Sequence, residues 1–62
     1  MAKDDELVAE AFKNAAENGY TFEGVEALDV AIDMCNYDSD IENRPLLEIA
    51  NAVLRYRAAN PS

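Results

Sequence analysis

Apolar residues in this chain recur every third or fourth position and nowhere alternate, a pattern that admits helices and leaves no segment for a half-buried strand. Three stretches carry it, and punctuation divides them: Gly19 closes the first and Pro45 sits at the start of the third. The pattern predicts an all-α fold, a small three-helix bundle forming a single domain over residues 1–62, with helices over roughly 5–18, 22–36 and 44–59. Short connections make such helices neighbours around one core.

In the first stretch Leu7, Val8, Ala11, Phe12 and Ala15 share one face, while Glu6, Glu10, Lys13 and Glu17 share the other. Asp4 or Asp5 is a suitable N-cap, and acids there suit the positive end of the helix dipole. Gly19 is placed to terminate the helix. In the second stretch Thr21 is the expected N-cap, with Tyr20 and Val25 at staple positions. Val25, Leu28, Ile32 and Cys35 form the expected inward stripe. Gly24 is unfavourable inside a helix: either another backbone comes close there, the favoured reading, or the helix starts late. In the third, Leu46, Ile49, Val53 and Tyr56 make one stripe, and Leu47, Ala50 and Leu54 a second beside it. A face that wide predicts a helix lodged between two others. Arg55 and Arg57 suit the negative end of its dipole.

Sixty-two residues bury little surface; a chain of this size removes only about 60% of its unfolded surface from water. Cys35 is the single cysteine, so there is no internal disulfide, and a reducing, cytoplasmic setting is expected. No apolar run follows the opening "MAKDDE", so no signal peptide is expected, and no apolar run reaches the ~20 residues that span a bilayer. Thirteen acids against five bases give a formal net charge of -8. That field opposes direct nucleic-acid binding and adhesion to anionic membranes. It favours a protein partner with a basic surface.

"CNYDSDIENRP" (Cys35–Pro45) is the one segment that looks like a ligand loop, with acids at Asp38, Asp40 and Glu42. An EF-hand calcium loop begun at Asp38 would need a bidentate glutamate at its twelfth position, and that position is Ile49. The segment is therefore read as a connector: Asp38 or Ser39 opens a turn, Ser39 and Glu42 have capping-box spacing, and Ile41 plugs the core. "DSDI" resembles, over four residues, the serine-bearing helix start of acyl carrier proteins, which accepts a phosphopantetheine arm; here Asp40 stands where that family usually has leucine, and the resemblance is not extended. No metal and no cofactor are expected. With no histidine there is no imidazole base, and Cys35 on an apolar stripe reads as packing; no nucleophile–base pair can be assembled, so catalysis is not expected. "ENGYTFEG" between two helices invites a helix-turn-helix reading, but the following helix carries Glu23, Glu26, Asp29 and Asp33 and no base, which would repel phosphates.

Those same acids suggest a function. Glu26, Asp29 and Asp33 fall in a narrow arc of the second helix with Glu23 at its edge, at axial steps of about 4.5–6 Å. Phosphates on a DNA strand are spaced by about 3.4 Å along the axis. Glu6, Glu10 and Glu17 form a comparable row on the first helix. The expected function is a protein-binding module, an inhibitor or nucleic-acid-mimicking decoy that occupies a basic surface, as small acidic phage inhibitors of host nucleases do. The alternative is an assembly adaptor or homodimer using an apolar strip of Ala27, Val30 and Met34, expected to be partly exposed.

Overall fold

The computed structural model describes residues 3–61, of which three-quarters are helical, and no strand occurs among them. The all-α expectation holds. The helix count does not: among the described residues there are four, α1 (Lys3–Glu17), α2 (Ala27–Tyr37), α3 (Ser39–Glu42) and α4 (Leu46–Ala59). The additional element is the single turn α3, formed from the acidic segment.

α1 ends as its glycine demands. Gly19 takes φ +76°, a conformation that costs an L side chain but not glycine. The Tyr20 amide then donates to the Ala15 carbonyl at 2.9 Å and the Gly19 amide to Ala16 at 3.0 Å, the two bonds of a Schellman cap. The expected capping role of Asp4 is not observed: Asp4 lies within α1 and is buried.

α2 begins five residues later than the spacing predicted. Gly24 takes φ +80°, and the Val25 amide donates to the Phe22 carbonyl at 3.1 Å. Glycine at the third position of such a turn is the requirement of a type II turn. A Cβ built on Gly24 would meet nothing within 4 Å, so the glycine serves the turn and not a close helix approach. Thr21 accordingly caps no helix; Glu26 stands at the N-cap of α2 without a side-chain cap bond. The turn lets Phe22 fold back into the core, edge-on to Phe12 (5.4 Å between centroids) and to Tyr20 (4.8 Å). Phe12 in turn stacks on Tyr56 at 4.2 Å.

The inward face of α2 is the reverse of the expected one. Val30, Ala31 and Met34 are buried, while Leu28 and Ile32 are 44% and 42% exposed. Apolar residues occupy both arcs of this helix, and only the tertiary contacts choose between them. Cys35 and Val25 are half-buried at the margin.

α3 is capped by Asp38, whose carboxylate accepts from the Asp40 amide at 2.9 Å, and not by Ser39. Ile41 is fully buried, as expected of a core plug. Pro45 precedes α4 at its N-cap position, where the absent N–H is harmless. α4 packs against both α1 and α2, and α3 against α1 and α2. The lodged-helix expectation is therefore met by Ile49, Ala50, Ala52 and Val53, all buried. The second stripe is not: Leu47 and Leu54 remain 71% and 56% exposed.

The long helices are also tied by charge. Arg44 donates from Nε to Asp4 Oδ1 at 2.7 Å and from Nη2 to Oδ2 at 3.2 Å. Arg55 Nε donates to Asp5 Oδ1 at 2.8 Å. Arg57 donates to the Phe22 carbonyl at 2.8 Å, fixing the end of α4 beside the turn. The paired arginine, hydrogen-bonded to both oxygens, holds the Asp4 carboxyl below its ordinary 3.8, against the opposing effect of burial. A depressed carboxyl contributes stability above its unfolded pKa and loses it as pH falls through the folded value. The melting temperature should thus fall more steeply with acid below about pH 4 in the parent than in Asp4→Asn, as thermal melts across pH would record.

Candidate functional site

Thirteen acids and five bases are distributed unevenly over this fold. Three acids, Asp4, Asp5 and Glu48, stand in ion pairs with Arg44 and Arg55. The other ten have no cation within pairing distance among the described residues. Three of the five cations, Arg44, Arg55 and Arg57, are engaged within the fold. What faces outward is therefore more uniformly negative than the net charge alone implies.

Glu6, Glu10 and Glu17 are exposed and form a row on α1, opposite the half-buried Ala11, Phe12 and Ala15, with Lys13 among them. The acids near α2 are less regular than helical spacing predicted. Glu23 is exposed in the type II turn, and Glu26 is at the N-cap. Only Asp29 and Asp33 stand on the helix proper, one turn apart, the first exposed and the second half-buried. The four acids are near one another in sequence but do not form a single helical row.

Asp33 lines a groove of about 560 Å³ between α1 and α2, two helices that approach one another little. Asn14 lines it from α1, Asn18, Tyr20 and Phe22 from the connection, and Tyr37 and the C-cap Asp38 from the end of α2. Tyr37 is 90% exposed. Carboxylates beside aromatic rings form a setting suited to a guanidinium or ammonium group, which the rings attract through their faces and the carboxylates through charge. Sequence reading missed the two tyrosines: nothing in the pattern places residues 20 and 37 at one groove, because the tertiary fold and not the local sequence brings the two segments to its sides.

The expected apolar strip of Ala27, Val30 and Met34 is not a surface. Val30 and Met34 are core residues, and Ala27 is half-buried against them. The side chains that replace them on the exterior are Leu28 and Ile32.

In the acidic connector Asp38 is engaged in capping α3, while Asp40 and Glu42 are exposed on that turn. No group of three or more ligating side chains converges on a metal position among the described residues. Cys35 is half-buried, with its Sγ 3.9 Å from the Ile41 carbonyl. Burial pushes its thiol up, and Glu42 adds to the effect, so the thiolate a nucleophile needs is disfavoured. No helix among the described residues is long and apolar enough to cross a membrane. The chain matches no family model, and comparison with curated proteins and with solved structures finds no match.

Proposed function

We propose that this chain is a non-enzymatic binding module that occupies a basic surface of a partner protein, as an inhibitor or a decoy for nucleic acid. The observation that supports this reading is the sorting of charge: ten acids lie outside ion pairs, while three of the five cations are engaged within the fold. A surface built this way accelerates encounter with a basic partner and rejects an acidic one. Asp29 and Asp33 on α2, with Glu26 and Glu23 leading into it, supply the negative face nearest the groove. The groove itself, with Asp33 and Asp38 beside Tyr20 and Tyr37, suits one arginine or lysine side chain of that partner. Glu6, Glu10 and Glu17 extend the negative field along α1. Imitation of phosphates rests here on charge density and not on a ruler-like spacing, since Glu23 and Glu26 are off the helix.

The test is affinity for a partner captured from the native host, measured at low and high salt. Reversing Glu26, Asp29 and Asp33 together to lysine should abolish binding while the circular dichroism spectrum stays helical, because Glu26 and Asp29 are exposed and Asp33 is only half-buried. Neutralising Glu6, Glu10 and Glu17 should weaken it less, as Lys13 already interrupts that row. Salt should reduce parent affinity steeply. Unchanged binding by the lysine triple would overturn the reading.

A further inference from the structure

Tyr37 is 90% exposed at the rim of the groove between α1 and α2. It is also the one aromatic residue without an aromatic neighbour among the described residues: the other four rings meet one another at 4.2 to 5.4 Å between centroids. The ring therefore contributes little to packing, and its faces are left free. The polar residues of the groove are held in place without being used up. Asn18, just past α1, donates its amide to the Asn14 carbonyl at 2.9 Å and keeps its Oδ1 as an acceptor. Asp38 accepts from the Asp40 amide through one oxygen and keeps the other. Asp33 stands in no ion pair among the described residues. Phe22 and Met34, both buried, give the groove an apolar floor, and no lysine or arginine lines it among the described residues.

We propose that this groove receives an arginine side chain of the partner, together with its flanking main chain, in preference to a lysine. The inference deepens the basic-partner reading and rests on it. Charge complementarity selects a cation, since Asp33 and Asp38 border the groove and no positive side chain answers them there. The placement of the acceptors selects which cation. Asn18 stands on one side and Asp33 and Asp38 on the other, so the head of a ligand must donate in diverging directions. A guanidinium does so with five N–H donors in one plane, and its face remains to stack on an exposed ring such as Tyr37. An ammonium is a compact point charge that holds its water more strongly. The aliphatic stem of arginine suits the apolar floor. At about 560 Å³ the groove exceeds a single side chain and lies in the range of pockets for small ligands, which leaves room for the main chain on either side. Internal hydrogen bonds already fix Asn18 and Asp38, so little further ordering accompanies capture.

The probe is acetyl-Gly-Arg-Gly-amide, with its lysine counterpart, titrated into the full chain at low salt and followed by NMR of the backbone amides. The arginine peptide should shift the signals of residues that line the groove, Asn18 and Asp33 among them, with a dissociation constant on the order of 1 mM. The lysine peptide should bind at least about threefold more weakly. Asp33→Asn, which keeps the shape of the side chain, and Tyr37→Ala, at an exposed position, should each raise the constant for the arginine peptide at least about threefold, with helical content unchanged. Tyr37→Phe keeps the ring and should bind like the parent. Glu42→Gln removes the same charge as Asp33→Asn but from α3, outside the groove, and should change the constant little. Equal binding of the two peptides, shifts spread evenly over the acidic surface, or Asp33 and Tyr37 variants that bind like the parent would each overturn the proposal. The groove assignment and the basic-partner reading fail separately. Absence of arginine binding, beside a host partner still captured in a salt-sensitive way, removes the groove assignment alone; a partner captured without salt dependence removes the basic-partner reading.

Discussion

Ile49→Ala should unfold the protein or come close to it, whereas Leu28→Ala should leave its melting temperature nearly unchanged. Ile49 is fully buried on the face of α4 that meets both α1 and α2. Removing its three terminal carbons forfeits their transfer energy and leaves a cavity, together about 2–5 kcal/mol. A chain this short has on the order of 5 kcal/mol in total. Leu28 is 44% exposed and loses much less. Met34→Ala, on the buried arc of the same helix, should resemble Ile49→Ala. Thermal and urea melts of the three variants decide which arc of α2 faces inward. Equal loss from Leu28→Ala and Met34→Ala would contradict the observed orientation.

Phe22→Ala should be comparably severe, at about 3–5 kcal/mol for a buried phenylalanine. The ring is 8% exposed and bridges Tyr20 and Phe12, so its removal takes away two edge-on contacts as well as buried area. Its carbonyl anchors Arg57, so the loss also loosens the turn that starts α2. Hydrogen exchange should show faster amides at Val25 and Val30, whose bonds to Phe22 and Glu26 define the turn and the first turn of helix. A variant that melts like the parent with those amides still protected would place Phe22 outside the cooperative core.

The helical class, the exit of α1 at Gly19, the outward row of Glu6, Glu10 and Glu17, and the plugging role of Ile41 were all legible in the sequence. Each depends on local chemistry: a glycine at positive φ, a row of acids, an isolated apolar residue in a polar turn. What was not legible depends on contacts between distant residues. Val30 and Leu28 are equally apolar, and the choice between their arcs is made by α3, α4 and Phe22, none of which is encoded in the periodicity of α2 itself. The late start of α2 was ambiguous for a related reason. Thr21 and Gly24 suit both a capped helix with a weak glycine and a glycine turn followed by a shorter helix, and burial of Phe22 favours the second. Among the candidate site residues, the α1 row kept its expected exposure, the α2 acids lost their regular row, and of the Ala27, Val30 and Met34 strip the last two became interior and Ala27 half-buried.

The attachment of α1 and that of α2 differ in kind. α1 is fastened by Arg44 and Arg55 through opposite charges, while α2 has no ion pair to the rest of the fold among the described residues: apolar contacts hold it, and Glu26 at its N-cap, Asp29 and Asp33 have no countercharge. Dissolved ions consequently act on the two helices unequally: repulsion among unpaired acids is screened on both, but only α1 loses ion pairs. They weaken the hold on α1 and relieve the self-repulsion of α2, so ionic strength shifts which helix departs first in partial opening while changing the total stability far less.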